Sequence, residues 1–195
     1  MKKRFLIIMI WTASLCLAGC AARVPSEAVD GTPWSADWIT LGNVLGVEKP
    51  GHSLTLRDDK AAKKMYYASW SIGEAQPYTT ADGNETEMYD AQLIFLLKAS
   101  NTAKSAQASM DEWLDMAGDV YTVTDTAQRT YNGQEFTVLT YSFPSGINPF
   151  NRGVSAFTVY GSCAISAEFS CQDTFEEDIG EILADVLEHC HYAAK

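Results

Sequence analysis

The sequence predicts an α+β fold, an antiparallel central sheet with helices on both faces, as in an α/β/α sandwich. Three observations carry this reading. The run Leu93-Ile94-Phe95-Leu96-Leu97 is continuously apolar, and a strand apolar on both sides must be covered on both sides. Asn132-Gly133 and Gly161-Ser162 each separate two strand-like runs, the arrangement of tight hairpins. Two stretches, residues 102–117 and 174–190, place apolar side chains at helical spacing, which makes each an amphipathic helix.

The elements follow in chain order. Residues 39–56 alternate apolar and polar between Gly42, Gly46, Pro50 and Gly51, and read as two short strands. Residues 58–64 read as one or two helical turns with a solvated lysine face. Residues 65–72 alternate around Tyr66, Tyr67 and Trp70 and read as a strand. A loop holding Pro77, Asp82 and Gly83 precedes the strongest strand, residues 87–99. In the first helix Thr102 or Asn101 caps the start and Gly118 suits the end. Residues 120–131 and 134–143 form one hairpin, and residues 154–160 and 163–171 another. Thr174 and Glu177 have the spacing of a capping box for the last helix. Its stripe is Phe175, Ile179, Ile182, Leu183, Val186, Leu187 and Cys190.

The chain begins with Met1-Lys2-Lys3-Arg4 and a mostly apolar run to Leu17, followed by the small residues Ala18 and Gly19. This is the layout of an export signal, too short to span a bilayer comfortably. Leu17-Ala18-Gly19-Cys20 resembles the lipobox of bacterial lipoproteins. The resemblance implies a diacylglycerol on the Cys20 thiol, cleavage before Cys20, and anchorage to the cell membrane or outer membrane, facing outside the cytoplasm. The expected organisation is a signal peptide over 1–19, a lipidated cysteine and flexible tether over 20–38, and a single globular α/β domain over 39–195. Trp34 and Trp38 are expected to clip the tether onto the core.

The formal net charge is −11, and loss of Lys2, Lys3 and Arg4 with the signal makes the mature chain more acidic still. Such a chain is repelled by phosphate backbones, so nucleic acid is excluded as a partner. Anionic headgroups should repel it too, which leaves the lipid on Cys20 as its hold on the membrane.

Of the cysteines, Cys163, Cys171 and Cys190 remain for the folded domain. If the last helix folds back along the last strand, it climbs about 24 Å from Thr174 to Cys190. The strand covers about 26 Å from Cys171 back to Cys163. Cys190 then returns to the level of Cys163. Two readings stand: a Cys163–Cys190 disulfide, or three buried free thiols.

No motif for chemistry emerges. His189 and His191 lie about 200° apart on a helix and cannot converge on one metal. No G-x-S-x-G, P-loop or G-x-G-x-x-G occurs. The turn Asp82-Gly83-Asn84-Glu85-Thr86-Glu87 lacks EF-hand spacing. Neither a metal nor a cofactor is expected. The candidate partner site is the loop carrying Ile147, Phe150 and Arg152, provided its apolar residues are exposed rather than tucked under the sheet edge.

The element order is similar to the Mog1/PsbP-like fold over residues 39 to 193. That resemblance implies a binding or accessory module and carries no site residues. The expected function is therefore a membrane-anchored, non-enzymatic lipoprotein that binds an unidentified protein or small ligand. The alternatives are an envelope hydrolase with an unrecognised site, with His52 near a cysteine or carboxylate, and a purely structural envelope protein.

Overall fold

A computed structural model describes residues 27–80, 83–144 and 149–194. In chain order these form β1 (Ile39–Leu41), β2 (Leu45–Val47), β3 (Thr55–Ala62), β4 (Met65–Ile72), β5 (Gln76–Thr79), β6 (Glu85–Met88), β7 (Ala91–Ala99), α1 (Ala103–Val120), β8 (Thr122–Tyr131), β9 (Gln134–Ser142), β10 (Arg152–Tyr160), β11 (Cys163–Cys171), α2 (Ile179–Glu188) and β12 (Cys190–Tyr192). The main sheet has seven strands in the order β3-β4-β7-β11-β10-β9-β8. Every pairing in it is antiparallel. A small sheet, β1-β2-β12, and the β5–β6 hairpin complete it.

β7 sits near the middle because its neighbours can bury it along its whole length. It pairs with β11 from Ala91↔Cys171 to Ala99↔Cys163, and with β4 from Ala91↔Ile72 to Lys98↔Met65. Its two sides are unequal. Leu93, Phe95 and Leu97 are fully buried, whereas Ile94 and Leu96 are half-buried. The first set belongs to the main core, with Ile165, Ala167 and Phe169 of β11, Val154 and Ala156 of β10, and Ile179, Ile182, Leu183, Val186 and Leu187 of α2. A smaller core joins Met110, Trp113, Leu114 and Ala117 of α1 to Leu139, Tyr141 and Phe157.

The domain is sheet-dominated, with two helices against twelve strands among the described residues. Several expectations change with it. Residues 58–64 are not helical: β3 runs to Ala62, and Lys63 and Lys64 turn at φ 47° and 70°. As an edge strand exposed on most of its length, β3 carries charges without the apolar alternation that marks half-buried strands. The loop expected after Ile72 is the β5–β6 hairpin, and the strong strand begins at Ala91 rather than residue 87. Thr102 caps α1 as expected, accepting from Ser105 N, but the helix passes through Gly118 to Val120. α2 begins later than the capping box implied. Asp178 is its cap, accepting from Gly180 N at 2.8 Å and Glu181 N at 3.2 Å. The helix also stops sooner, and Cys190 starts a strand paired with β2.

Asn132 and Gly133 turn the β8–β9 hairpin with φ 42° and 74°, as a type I′ turn requires. The unequal sides of β7 set a stability test. Phe95→Ala is expected to lower the unfolding free energy by about 3–5 kcal/mol in urea denaturation, the usual cost of emptying a buried aromatic site. Leu96→Ala, on the half-buried side, is expected to cost clearly less; equal losses would contradict the asymmetry.

Candidate functional site

The three histidines gather where the N-terminal arm, β2, α2 and β12 meet. β12 brings His191 opposite Gly46 of β2. The Trp38 ring stacks on His191 with centroids 4.2 Å apart and planes 7° from parallel. Gly46 permits this, since a Cβ there would lie 2.5 Å from the Trp38 ring. His191 Nδ1 lies 3.1 Å from Asp30 Oδ2, and Nε2 lies 2.8 Å from Glu48 Oε1. A carboxylate oxygen thus faces each nitrogen of the ring.

The arm itself is folded in. Val29 N donates to Tyr192 O at 2.7 Å, Ala28 bridges to Ala193, and Ala28, Trp34 and Ala193 form a small buried cluster. Asp30 is held well below the usual carboxylate range, at about 2, first by the Thr32 backbone N–H and also by His191 and Asn132. Asn132 adds a second tie, donating from Nδ2 to Cys190 O at 2.8 Å and from its backbone N to Glu188 at 2.7 Å. From residue 27 onward, the stretch read as tether is thus packed against β12, with Trp38 as one of its fasteners.

Beside this clamp lies a cleft of about 230 Å³ lined by Glu48, Lys49, Pro50, Gly51, Asp185, Val186 and His189. His52 Nε2 approaches Asp185 Oδ2 at 2.9 Å at its rim. The side chains of this pair are 34% and 48% exposed, so bulk water screens it. His189 is also held by Asp185, whose backbone O lies 2.8 Å from its Nδ1. That contact is the largest of those that raise its pKa. A carboxylate orienting a histidine is two-thirds of a nucleophilic triad, but the cleft is small beside the roughly 300–1,000 Å³ of typical ligand pockets. Among the described residues no group of three or more His, Cys, Asp or Glu side chains is arranged to hold a metal ion.

A second polar cluster lies under the end of α1. Glu168 accepts from Tyr121 OH at 3.3 Å, Ser155 Oγ at 3.4 Å and Ser170 Oγ at 3.1 Å. Tyr141 OH lies 2.9 Å from Ser155 Oγ, and its ring stacks on Tyr121 at 4.2 Å. Gly153 makes room, since a Cβ there would meet the Tyr141 ring at 2.6 Å. Desolvation raises the Glu168 carboxyl above its usual range, while the hydroxyl donors oppose the rise. Desolvation raises the phenol of Tyr121 as well, helped by the nearby Glu168 charge. In the sequence Glu168 is one polar residue within the strand run 163–171. Ser170 is its neighbour on the same side of β11, but the other partners come from α1's end, β9 and β10, and no local pattern announces those.

The residues singled out from sequence scatter. Cys20 and Ile147 lie outside the described residues. Phe150 is buried, 8% exposed, which is the tucked alternative, so an apolar patch on this loop does not include it. Arg152 turns inward, donating from Nε to Cys171 Sγ at 3.2 Å and from Nη2 to Phe175 O. Cys163 and Cys190 are buried free thiols, as is Cys171, and the Cys163–Cys190 bridge is not formed. The helix that was to return Cys190 to the level of Cys163 ends at Glu188. Cys190 instead donates to Val186 O at 3.3 Å. His191 is on a strand, so the helical angle between His189 and His191 no longer applies.

No known protein family matches the chain, and no curated protein does. Solved structures similar to it include a crystal structure from Bacteroides thetaiotaomicron VPI-5482, with TM-score 0.45 and 8% identity over 81% of this chain and 48% of that one. This chain thus spans about half the length of that protein. Another is the solution structure of cyanobacterial PsbP (CyanoP) from Synechocystis sp. PCC 6803, with TM-score 0.46 and 12% identity over 91% of this chain and 98% of that one.

The Glu168 cluster gives a pH test. Its folded pKa is raised, so its contribution to stability is complete below the unfolded value of 4.5 and is lost as pH rises through the folded value. Unfolding free energies measured from pH 4 to pH 8 should therefore fall less steeply for Glu168→Gln than for the unaltered chain. Parallel curves would show that Glu168 titrates as it does in the unfolded chain.

Proposed function

We propose that the protein is a lipid-anchored, non-enzymatic binding or accessory module on the outer side of a cell membrane or outer membrane, and that its finer architecture is a PsbP-like α/β/α sandwich. The observation that carries the functional reading is the folding-in of the N-terminal arm. Glu27 bridges to Pro33 and Ala28 to Ala193, so only six residues, 21–26, lie between Cys20 and Glu27, a span of seven residue steps. That length reaches about 25 Å when fully extended, shorter than the tether expected from sequence. An acylated Cys20 would hold the domain at a short, set distance from the bilayer, which suits a protein that meets a partner there. The buried polar groups support the same reading. Both nitrogens of His191 and both oxygens of Glu168 are engaged by the chain's own side chains. The partner is a protein or small ligand, and no cofactor enters the proposal.

The His52–Asp185 contact favours a second reading, an envelope hydrolase. The two separate cleanly. In the native host, a fatty-acid label should enter the mature chain and be lost in Cys20→Ser, which should also leave the membrane fraction. A Cys20→Ser chain that partitions wholly with membranes would remove the lipoprotein reading. Serine- and cysteine-reactive activity probes should leave the chain unlabelled. Labelling that disappears in His52→Ala would establish the hydrolase instead.

A further inference from the structure

The net charge conceals a polarity along the strands. Pairing sets Ala62 beside Met65, Met65 beside Lys98, and Ala99 beside Cys163. Ala99 N donates to Lys64 O, Ser100 N to Ser162 O, and Lys64 Nζ to Asn101 Oδ1. Residues 60–65, 98–105 and 160–163 are therefore one end of the sheet. They carry Lys60, Lys63, Lys64, Lys98 and Lys104 and contain no Asp or Glu. Lys60, Lys63, Lys64 and Lys104 are exposed and Lys98 is half-buried. Lys60 is paired with Asp58. The opposite end, about 30 Å away along β7 at strand rise, carries Glu74, Glu85, Glu87, Asp90, Asp173, Glu176, Glu177 and Asp178.

The N-terminal arm reaches the domain at the lysine end. Tyr160, the last residue of β10, donates to Ala193 O at 2.8 Å, and Ala193 bridges to Ala28. Asp58, paired with Lys60, and Asp59 next to it stand beside the lysines on β3, and the other carboxylates at this end lie across the sheet, beside β12 and the β8–β9 hairpin. Among them Asp30 and Glu48 face His191, and Glu188 accepts from Asn132. Glu135 stands on the outer part of that hairpin.

We propose that this lysine end is a docking surface for anionic lipid headgroups, so that the domain stands on the membrane with its lysines down and its carboxylate end outward. The orientation rests on the lipid-anchor reading above, which brings the arm to the bilayer; the lysine surface itself does not. Attraction of about fivefold per lysine acts only within a Debye length of the headgroups. The short stretch between Cys20 and residue 27 lets this end approach within that length. Over that distance the arrangement of charge decides the interaction, more than its sum.

The test uses the full lipidated chain in phosphatidylcholine vesicles with or without phosphatidylglycerol, carrying a dye on Ala62→Cys or on Glu176→Cys. A quencher on the lipid headgroups should dim the Ala62→Cys chain several-fold more than the Glu176→Cys chain when phosphatidylglycerol is present. The difference should shrink in its absence or in 1 M NaCl. It should also vanish in a chain with Lys63→Glu, Lys64→Glu and Lys104→Glu. The salt series on otherwise unaltered lysines answers the question even if that variant folds poorly. Equal quenching at both ends, or a difference indifferent to phosphatidylglycerol and salt, overturns the proposal. Release from pure phosphatidylcholine vesicles would be a failure of the anchor alone. The lysine end would then still be supported by salt-sensitive binding to phosphatidylglycerol vesicles, and overturned without it.

Discussion

Everything in this domain hangs on the nine-residue pairing of β7 with β11. That register puts Leu93, Phe95 and Leu97 on the same side as Ile165, Ala167 and Phe169. A one-residue slip would turn every one of these side chains to the wrong side. α2 can bury its stripe only because this side is uniformly apolar. The other side of the same strands carries Ser166, Glu168 and Ser170, so α1, which lies over β10 and β11, gathers its apolar side chains with Leu139, Tyr141 and Phe157. The helices differ accordingly. α2 buries five of its ten residues, whereas the eighteen-residue α1 buries three, one of them a serine.

The parts legible in the sequence are those specified by neighbouring residues. Asn132-Gly133 and Gly161-Ser162 mark their hairpins because turn chemistry is local. The run from Cys163 to Cys171 is β11 from end to end. The parts that were misread are decided from afar. Cys190-His191-Tyr192 continues an apolar helical stripe by spacing, yet it is a strand, because β2 supplies hydrogen-bond partners far earlier in the chain. Thr174 and Glu177 satisfy the capping-box spacing, but Asp178 holds the helix start instead. The polar clusters were the least legible. His191 and Asp30 are 161 residues apart, and Tyr121 and Glu168 are 47 apart. No periodicity connects such pairs.

Charge shows the same gap between composition and arrangement. A total of −11 says that the molecule is acidic. It does not say that five lysines gather at one end of the sheet. Hairpins produce that gathering, because each turn returns the chain to one end or the other. Lys63-Lys64 and Lys98 land on the same end for that reason, although more than thirty residues separate them in sequence.

The stitching of residues 28–34 to β12 has a mechanical side. Tension on an acylated N-terminus would enter the domain at residue 27 and pass first through the Val29–Tyr192 hydrogen bond and the Asp30–His191 contact. Together with the Trp38–His191 stack and the Ala28–Trp34–Ala193 cluster they tie the arm to the end of the chain, and they lie apart from the β7–β11 register. They form a mechanical fuse. Under load the arm would peel away and lengthen the leash by about 3.4 Å for each residue released, while the seven-stranded sheet stays whole.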